Sequence, residues 1–172
     1  MLGRDHICIL IAVAGALSVG AAISAQDQLG TTQDFRFYQA NANEDIPQNW
    51  RKAKENWVLN CQGCHKPDGG GLPEQGMPTL VNEVGKFLSV PGGREYLSQV
   101  PGVTNNSLSD GELSQLLNWI LIEFDPDNIP DGFLPYSPQE VALLRQKALG
   151  AYAPNIRKQL LNMIENKNSS IE

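Results

Sequence analysis

Apolar residues recur along this chain at helical spacing, and no segment alternates convincingly over strand length. Trp50, Ala53, Trp57 and Val58 fall on one helical pattern. With Pro47 at a first-turn position and Asp45 near the cap, they predict a helix over about 47–63. The stretch KPDGGGLPEQGMP, residues 66–78, breaks both helical and strand periods with its run of glycines and its prolines. Short helices are expected around Asn82–Leu88 and Gly93–Val100. Ser109-Asp110-Gly111-Glu112 is a capping box, opening the strongest helix of the chain on Leu113, Leu116, Leu117, Ile120 and Phe124. A second box, Ser137-Pro138-Gln139-Glu140, predicts a helix carrying Val141, Leu144 and Ala148. The last amphipathic stretch, Pro154–Asn166, sets Ile156, Leu160, Met163 and Ile164 on one side, and the final NKNSSIE reads as disordered. The pattern predicts an all-α fold.

The first residues read differently. A short polar start with Arg4 leads into an apolar or small-residue run, Ile7–Ala25, and the chain turns polar at Gln26-Asp27-Gln28. This predicts a secretory signal peptide over 1–25, cut after Ala25 or, alternatively, after Ser24. The competing expectation is a retained anchor helix, against which stand the Ala, Gly and Ser content and the lack of basic or aromatic anchors on the far side. Cys8 lies inside this run and would be lost with it. Cleavage would leave no membrane span, and the expected destination is a bacterial periplasm. Residues 26–46 are polar apart from Phe35, Phe37 and Tyr38, and read as an N-terminal arm lying on the domain.

Composition narrows the picture further. With 172 residues, the chain has room for one domain with a sizeable core. Its net charge of −6 disfavours a nucleic-acid partner, which would call for a basic face. Three cysteines are too few for a disulfide scaffold.

Candidate chemistry is concentrated in one pentapeptide, Cys61-Gln62-Gly63-Cys64-His65. This is the C-x-x-C-H signature of covalent c-type haem attachment. At the end of a helical turn, two thiols at that spacing reach both vinyl groups along one porphyrin edge. The following imidazole is then placed under the ring, with Nε2 toward iron. Three other readings compete. A structural zinc site needs about four ligands, more than Cys61, Cys64 and His65 supply. A thioredoxin-like pair needs a βαβ context. A simple Cys61–Cys64 disulfide leaves His65 and export without a purpose.

Over about residues 47–124 the sequence resembles the single-haem class I cytochromes c of proteobacteria. The resemblance rests on a helix feeding CQGCH, a glycine-rich loop leading to Pro78-Thr79-Leu80, and Val100-Pro101-Gly102-Val103 followed by LSDGELSQLLNWI. It implies a cytochrome c domain over 47–124, with one covalent haem c on Cys61, Cys64 and His65. In that family the Pro78 carbonyl would accept the Nδ1 proton of His65. It also implies that the helix opened by Ser109 crosses the first one, with Leu116, Leu117 and Ile120 in contact. Residues 125–172 exceed the resemblance and are expected to form a C-terminal helical extension packed on the domain.

One departure stands out. The family's distal methionine position is Val103 here, and Met77 and Met163 are the methionines left after the leader. Met77 falls in the loop expected on the proximal side, and Met163 sits on an apolar stripe where core filling is the default. Asn105, Asn106 and Lys86 are polar candidates close by in sequence. Gly92-Gly93-Arg94 has two readings: an anion-binding turn in which Arg94 pairs with a haem propionate, or an ordinary turn with a surface arginine.

The function these residues point to is periplasmic single-electron transfer rather than enzymatic catalysis, since no nucleophile or acid–base pair stands out. The resemblance suggests a quinoprotein dehydrogenase or a terminal oxidase as partner. The acidic surface would steer a basic docking patch. The alternative follows from Val103: a five-coordinate haem that binds NO, CO or peroxide, as a sensor or small peroxidase.

Overall fold

The computed structural model describes residues 48–170. The expected leader, 1–25, and the whole of the expected arm, 26–46, lie outside them. The described residues are helical, with no strand and one isolated bridge between Leu72 and Met77. In chain order they form α1 (Gln48–Asn60), α2 (Gln62–His65), α3 (Gly93–Gln99), α4 (Pro101–Thr104), α5 (Asp110–Phe124), α6 (Pro138–Leu144) and α7 (Ala153–Ser169). Short 3-10 turns at Pro73–Gln75, Gly85–Ser89, Pro126–Asn128 and Gly150–Tyr152 link them.

The main core forms where α1 packs on α5. Small Ala53 lets the two backbones approach, and Trp57 lies against Trp119 and Phe124, with centroids 5.9 and 4.8 Å away. Trp119 meets Phe124 edge-on at 5.6 Å, an arrangement the ring quadrupoles favour. Leu113, Leu116, Leu117 and Leu121 complete this layer from α5, with Ile120 half-buried against it. The start of α5 is fixed by its reciprocal box: Ser109 Oγ accepts from the Glu112 amide at 3.3 Å, and the Glu112 carboxylate accepts from the Ser109 amide at 3.1 Å. Ser109→Ala is expected to cost about 1 kcal/mol and lower the melting temperature by a few degrees, read by circular dichroism.

The C-terminal extension is bolted to this core at several points. Asn118 on α5 pairs with the Tyr136 backbone in both directions, at 2.8 and 3.0 Å. The Tyr136 hydroxyl donates to the Arg94 carbonyl at 2.7 Å. Helix α7 builds a second core, in which Leu160, Ile164 and Ala153 cover Phe87, Val90 and Tyr96. Asp125 closes the end of α5: its buried carboxylate accepts from the Gly85 amide at 2.7 Å and from Asn128 at 2.6 Å. Burial raises the Asp125 pKa, and these hydrogen bonds oppose the rise.

Several expectations change on this structure. The first helix ends at Asn60, and Val58 turns outward at 45% exposure. The segment around Asn82–Leu88 forms a 3-10 turn, Gly85–Ser89, in place of an α-helix. Half of the second capping box forms: Ser137 Oγ accepts from the Glu140 amide at 3.1 Å, while the Glu140 carboxylate is drawn to Arg94. Helix α6 stops at Leu144, so Ala148 is exposed beyond it. On α7, Met163 is 40% exposed and Leu161 is the half-buried neighbour, so the apolar stripe runs through Ile156, Leu160 and Ile164. The tail expected to be disordered continues as helix to Ser169.

Candidate haem-attachment site

Helix α1 runs into the pentapeptide almost without a break. The Cys61 amide donates to the Trp57 carbonyl at 2.9 Å, and the amides of Cys64 and His65 return to the Cys61 carbonyl at 3.1 and 3.0 Å. In such a turn, positions i, i+3 and i+4 lie on one side. Cys61, Cys64 and His65 therefore share a face. The two cysteines are free thiols, Cys61 half-buried and Cys64 exposed. Burial, and secondarily Cys64, pushes the Cys61 thiol up to about 11.

The following loop is shaped to hold the imidazole. Lys66, at φ +62°, turns the chain out of α2. The Gly71 amide then donates to the His65 carbonyl at 2.9 Å, and the Leu80 amide donates to the Gly69 carbonyl at 2.8 Å. These bonds fold the loop back so that the Pro78 carbonyl meets His65 Nδ1 at 3.2 Å, the contact expected between these two residues. Two glycines make the close approach feasible. A Cβ on Gly69 would meet the Phe124 ring at 2.6 Å. One on Gly71, at φ +64°, would overlap the carbonyl oxygens of Pro78 and Met77. Burial lowers the His65 pKa, with the Pro78 bond opposing the shift. A neutral ring that donates from Nδ1 keeps its lone pair on Nε2, as a metal-binding imidazole requires.

The chemistry of this donor set fits a haem. Two unpaired thiols and an oriented imidazole occupy one face. Among the described residues no three His, Cys, Asp or Glu side chains are grouped so as to hold a metal ion by themselves. Beside the imidazole, Trp57 lies 6.1 Å from the His65 ring, and its buried Nε1 has no hydrogen-bond partner. Asn56 Nδ2, on the same helix, is likewise buried and unpartnered. Buried donors of this kind are uncommon in a finished fold. No periodicity argument singles out Asn56; a polar residue directly before a core tryptophan was the available signal.

Arg94 is engaged with the C-terminal extension. Its guanidinium pairs with the Glu140 carboxylate through Nε at 2.6 Å and Nη2 at 2.7 Å, and lies over the Tyr136 ring 4.2 Å from its centroid. The glycine pair forms a turn, as in the second reading of Gly92-Gly93-Arg94, but Arg94 is half-buried and paired rather than a surface arginine. Gly92, at φ +82°, turns the chain into α3, and Gly93 lies so close to the Phe87 carbonyl that a Cβ would collide with it. Val103, on α4, is half-buried against the main core. Met77 shares the bridge with Leu72 in the loop that carries Pro78, on the imidazole's own side. Met163 sits on α7, which packs on α3 and the 3-10 turns at Gly85–Ser89 and Gly150–Tyr152.

No family model and no solved structure matches the chain. It is similar to cytochrome c-552 of Thermus thermophilus, 33% identical over 107 residues, covering 52% of this chain and 81% of that protein. A second cytochrome c-552, from a particular strain of Thermus thermophilus, is also 33% identical over 107 residues, covering 72% of its length. Taken with CQGCH on one helical face and an imidazole tied to a proline carbonyl, this similarity means that the chain belongs to the cytochrome c family.

Proposed function

We propose that this protein is a single-electron carrier that holds one haem c through thioethers from Cys61 and Cys64, with His65 Nε2 as an axial ligand. Membership of the family implies a covalent haem and suggests a haem-based electron-transfer role. The observation that carries the residue-level reading is the Nδ1 contact of His65 with the Pro78 carbonyl, which leaves Nε2 free on the face shared by both thiols. Bound there, a haem supplies a one-electron Fe(III)/Fe(II) couple. The chain's own part is mechanical and electrostatic. Pro78 orients the imidazole, and the α1–α5 core keeps α2 rigid, which limits rearrangement when charge changes.

The carrier reading extends to a periplasmic setting and to redox proteins as partners, a quinoprotein dehydrogenase or a terminal oxidase. No described helix is long and apolar enough to cross a membrane. A second reading is favoured by one feature: Val100 to Ser109 contains no Met, His, Cys or Lys to offer iron. On that reading the second axial position is open, and the protein binds NO, CO or peroxide.

The test is the purified protein's intact mass and its reduced visible spectrum with and without CO. A mass above that of the polypeptide and a reversible couple are expected. Sharp low-spin bands indifferent to CO identify the carrier, and a high-spin spectrum that shifts with CO identifies the ligand binder. Colourless material with the bare polypeptide mass would overturn both.

A further inference from the structure

Arg145 is the most heavily engaged cation of the C-terminal extension, and neither reading above uses it. It caps the end of α6 with its side chain 17% exposed. From there it reaches back to the segment between α4 and α5. Nη1 donates to the Leu108 carbonyl at 2.9 Å and to the Asp110 carboxylate at 3.0 Å, and Nη2 donates to the Asn106 carbonyl. The segment also braces itself, with Asn106 Oδ1 accepting from the Leu108 amide at 2.9 Å. A guanidinium can satisfy three acceptors at once, which a lysine ammonium at the same place cannot match in geometry. Val103 and Leu108, on either side of Asn106, pack on the same core as Cys61. The loop bearing Pro78 takes the Nδ1 side of the imidazole.

We propose that Arg145 is a positioning residue that staples residues 104–110 closed, so that the second axial face of the haem stays covered by a segment with no Met, His, Cys or Lys to offer iron. The inference rests on the haem reading above and adds what governs that face. Entry of a small external ligand is set by how often the staple opens, and the C-terminal extension is thereby part of the haem environment rather than a separate cap.

The holoprotein and its Arg145→Gln and Arg145→Lys variants would be compared in two measurements. Hydrogen exchange is read at the amides of residues 104–110, and imidazole association with the ferric haem is followed by stopped-flow absorbance. Losing several charge-assisted hydrogen bonds at a half-buried site is expected to raise local opening about tenfold. In Arg145→Gln, exchange across 104–110 and the imidazole on-rate should both rise by about that factor, while amides of α1 keep their protection. Arg145→Lys keeps the charge opposite Asp110 and should recover the melting temperature without restoring the slow on-rate.

Faster exchange with an unchanged on-rate would overturn the proposal, because the segment would then not cover iron. Equal loss of protection throughout the molecule would overturn it too, reducing Arg145 to a general stabiliser. Protein that arrives colourless overturns the haem reading instead, and is recognised by its mass before either measurement begins.

Discussion

Cys61→Ala combined with Cys64→Ala is expected to yield a protein with the bare polypeptide mass and no haem surviving acid–acetone extraction. Both thiols are unpaired and share the face of α2 that carries His65, so each is available for a thioether. The tether keeps the haem on the chain in the folded and unfolded states alike, so the group stabilises the protein through the packing and the iron–imidazole bond that form only on folding. Removing the tether should therefore lower the melting temperature as well as remove the colour. Either single substitution keeps one attachment point and is expected to retain coloured protein of raised mass. His65→Gln separates the two roles: the mass stays high while the spectrum loses its imidazole-ligated character. A double variant that remains coloured and covalently loaded would show that the attachment lies elsewhere in the chain.

Gly71→Ala is expected to be the most damaging single methyl group near the site. Gly71 sits at φ +64°, a conformation costly for any residue with a Cβ. The added carbon would also overlap the Pro78 oxygen that receives the His65 Nδ1 proton. Strain and displacement together should cost roughly 3 kcal/mol or more. The melting temperature reads the stability loss. The histidine Nδ1 proton resonance reads the orientation, and it should move or vanish as the imidazole loses its acceptor. A normal Nδ1 resonance in a destabilised Gly71→Ala protein would separate the loop's folding role from its hold on His65.

Local chemistry made much of this molecule readable in advance. The Ser109–Glu112 box marks the start of α5 because both partners lie within one turn, and the pentapeptide places its own three side chains on one face. Pro78 was identifiable through family resemblance, since nothing in its local pattern says that its carbonyl turns toward His65. What escaped depends on residues far apart in the chain. Glu140 was expected to complete a cap, yet Arg94, 46 residues away, offers two charge-assisted hydrogen bonds and takes it. The same pairing ties Arg94 to the C-terminal extension. Val58 and Met163 satisfy helical spacing but fall on the outer edges of their stripes, where tertiary packing decides exposure. The staple made by Arg145 has no local signature, for its acceptors are mainly backbone carbonyls of a loop.

The indole cluster gives the protein an internal lamp. Trp57 stands 5.9 Å from Trp119 and 6.1 Å from the imidazole of His65. A pigment seated on that imidazole would lie within easy range for resonance transfer from both rings, leaving the intact molecule nearly dark in ultraviolet emission. Brightening on heating or in denaturant would then signal the separation of chromophore and core directly, giving a fluorescence assay that needs no added dye.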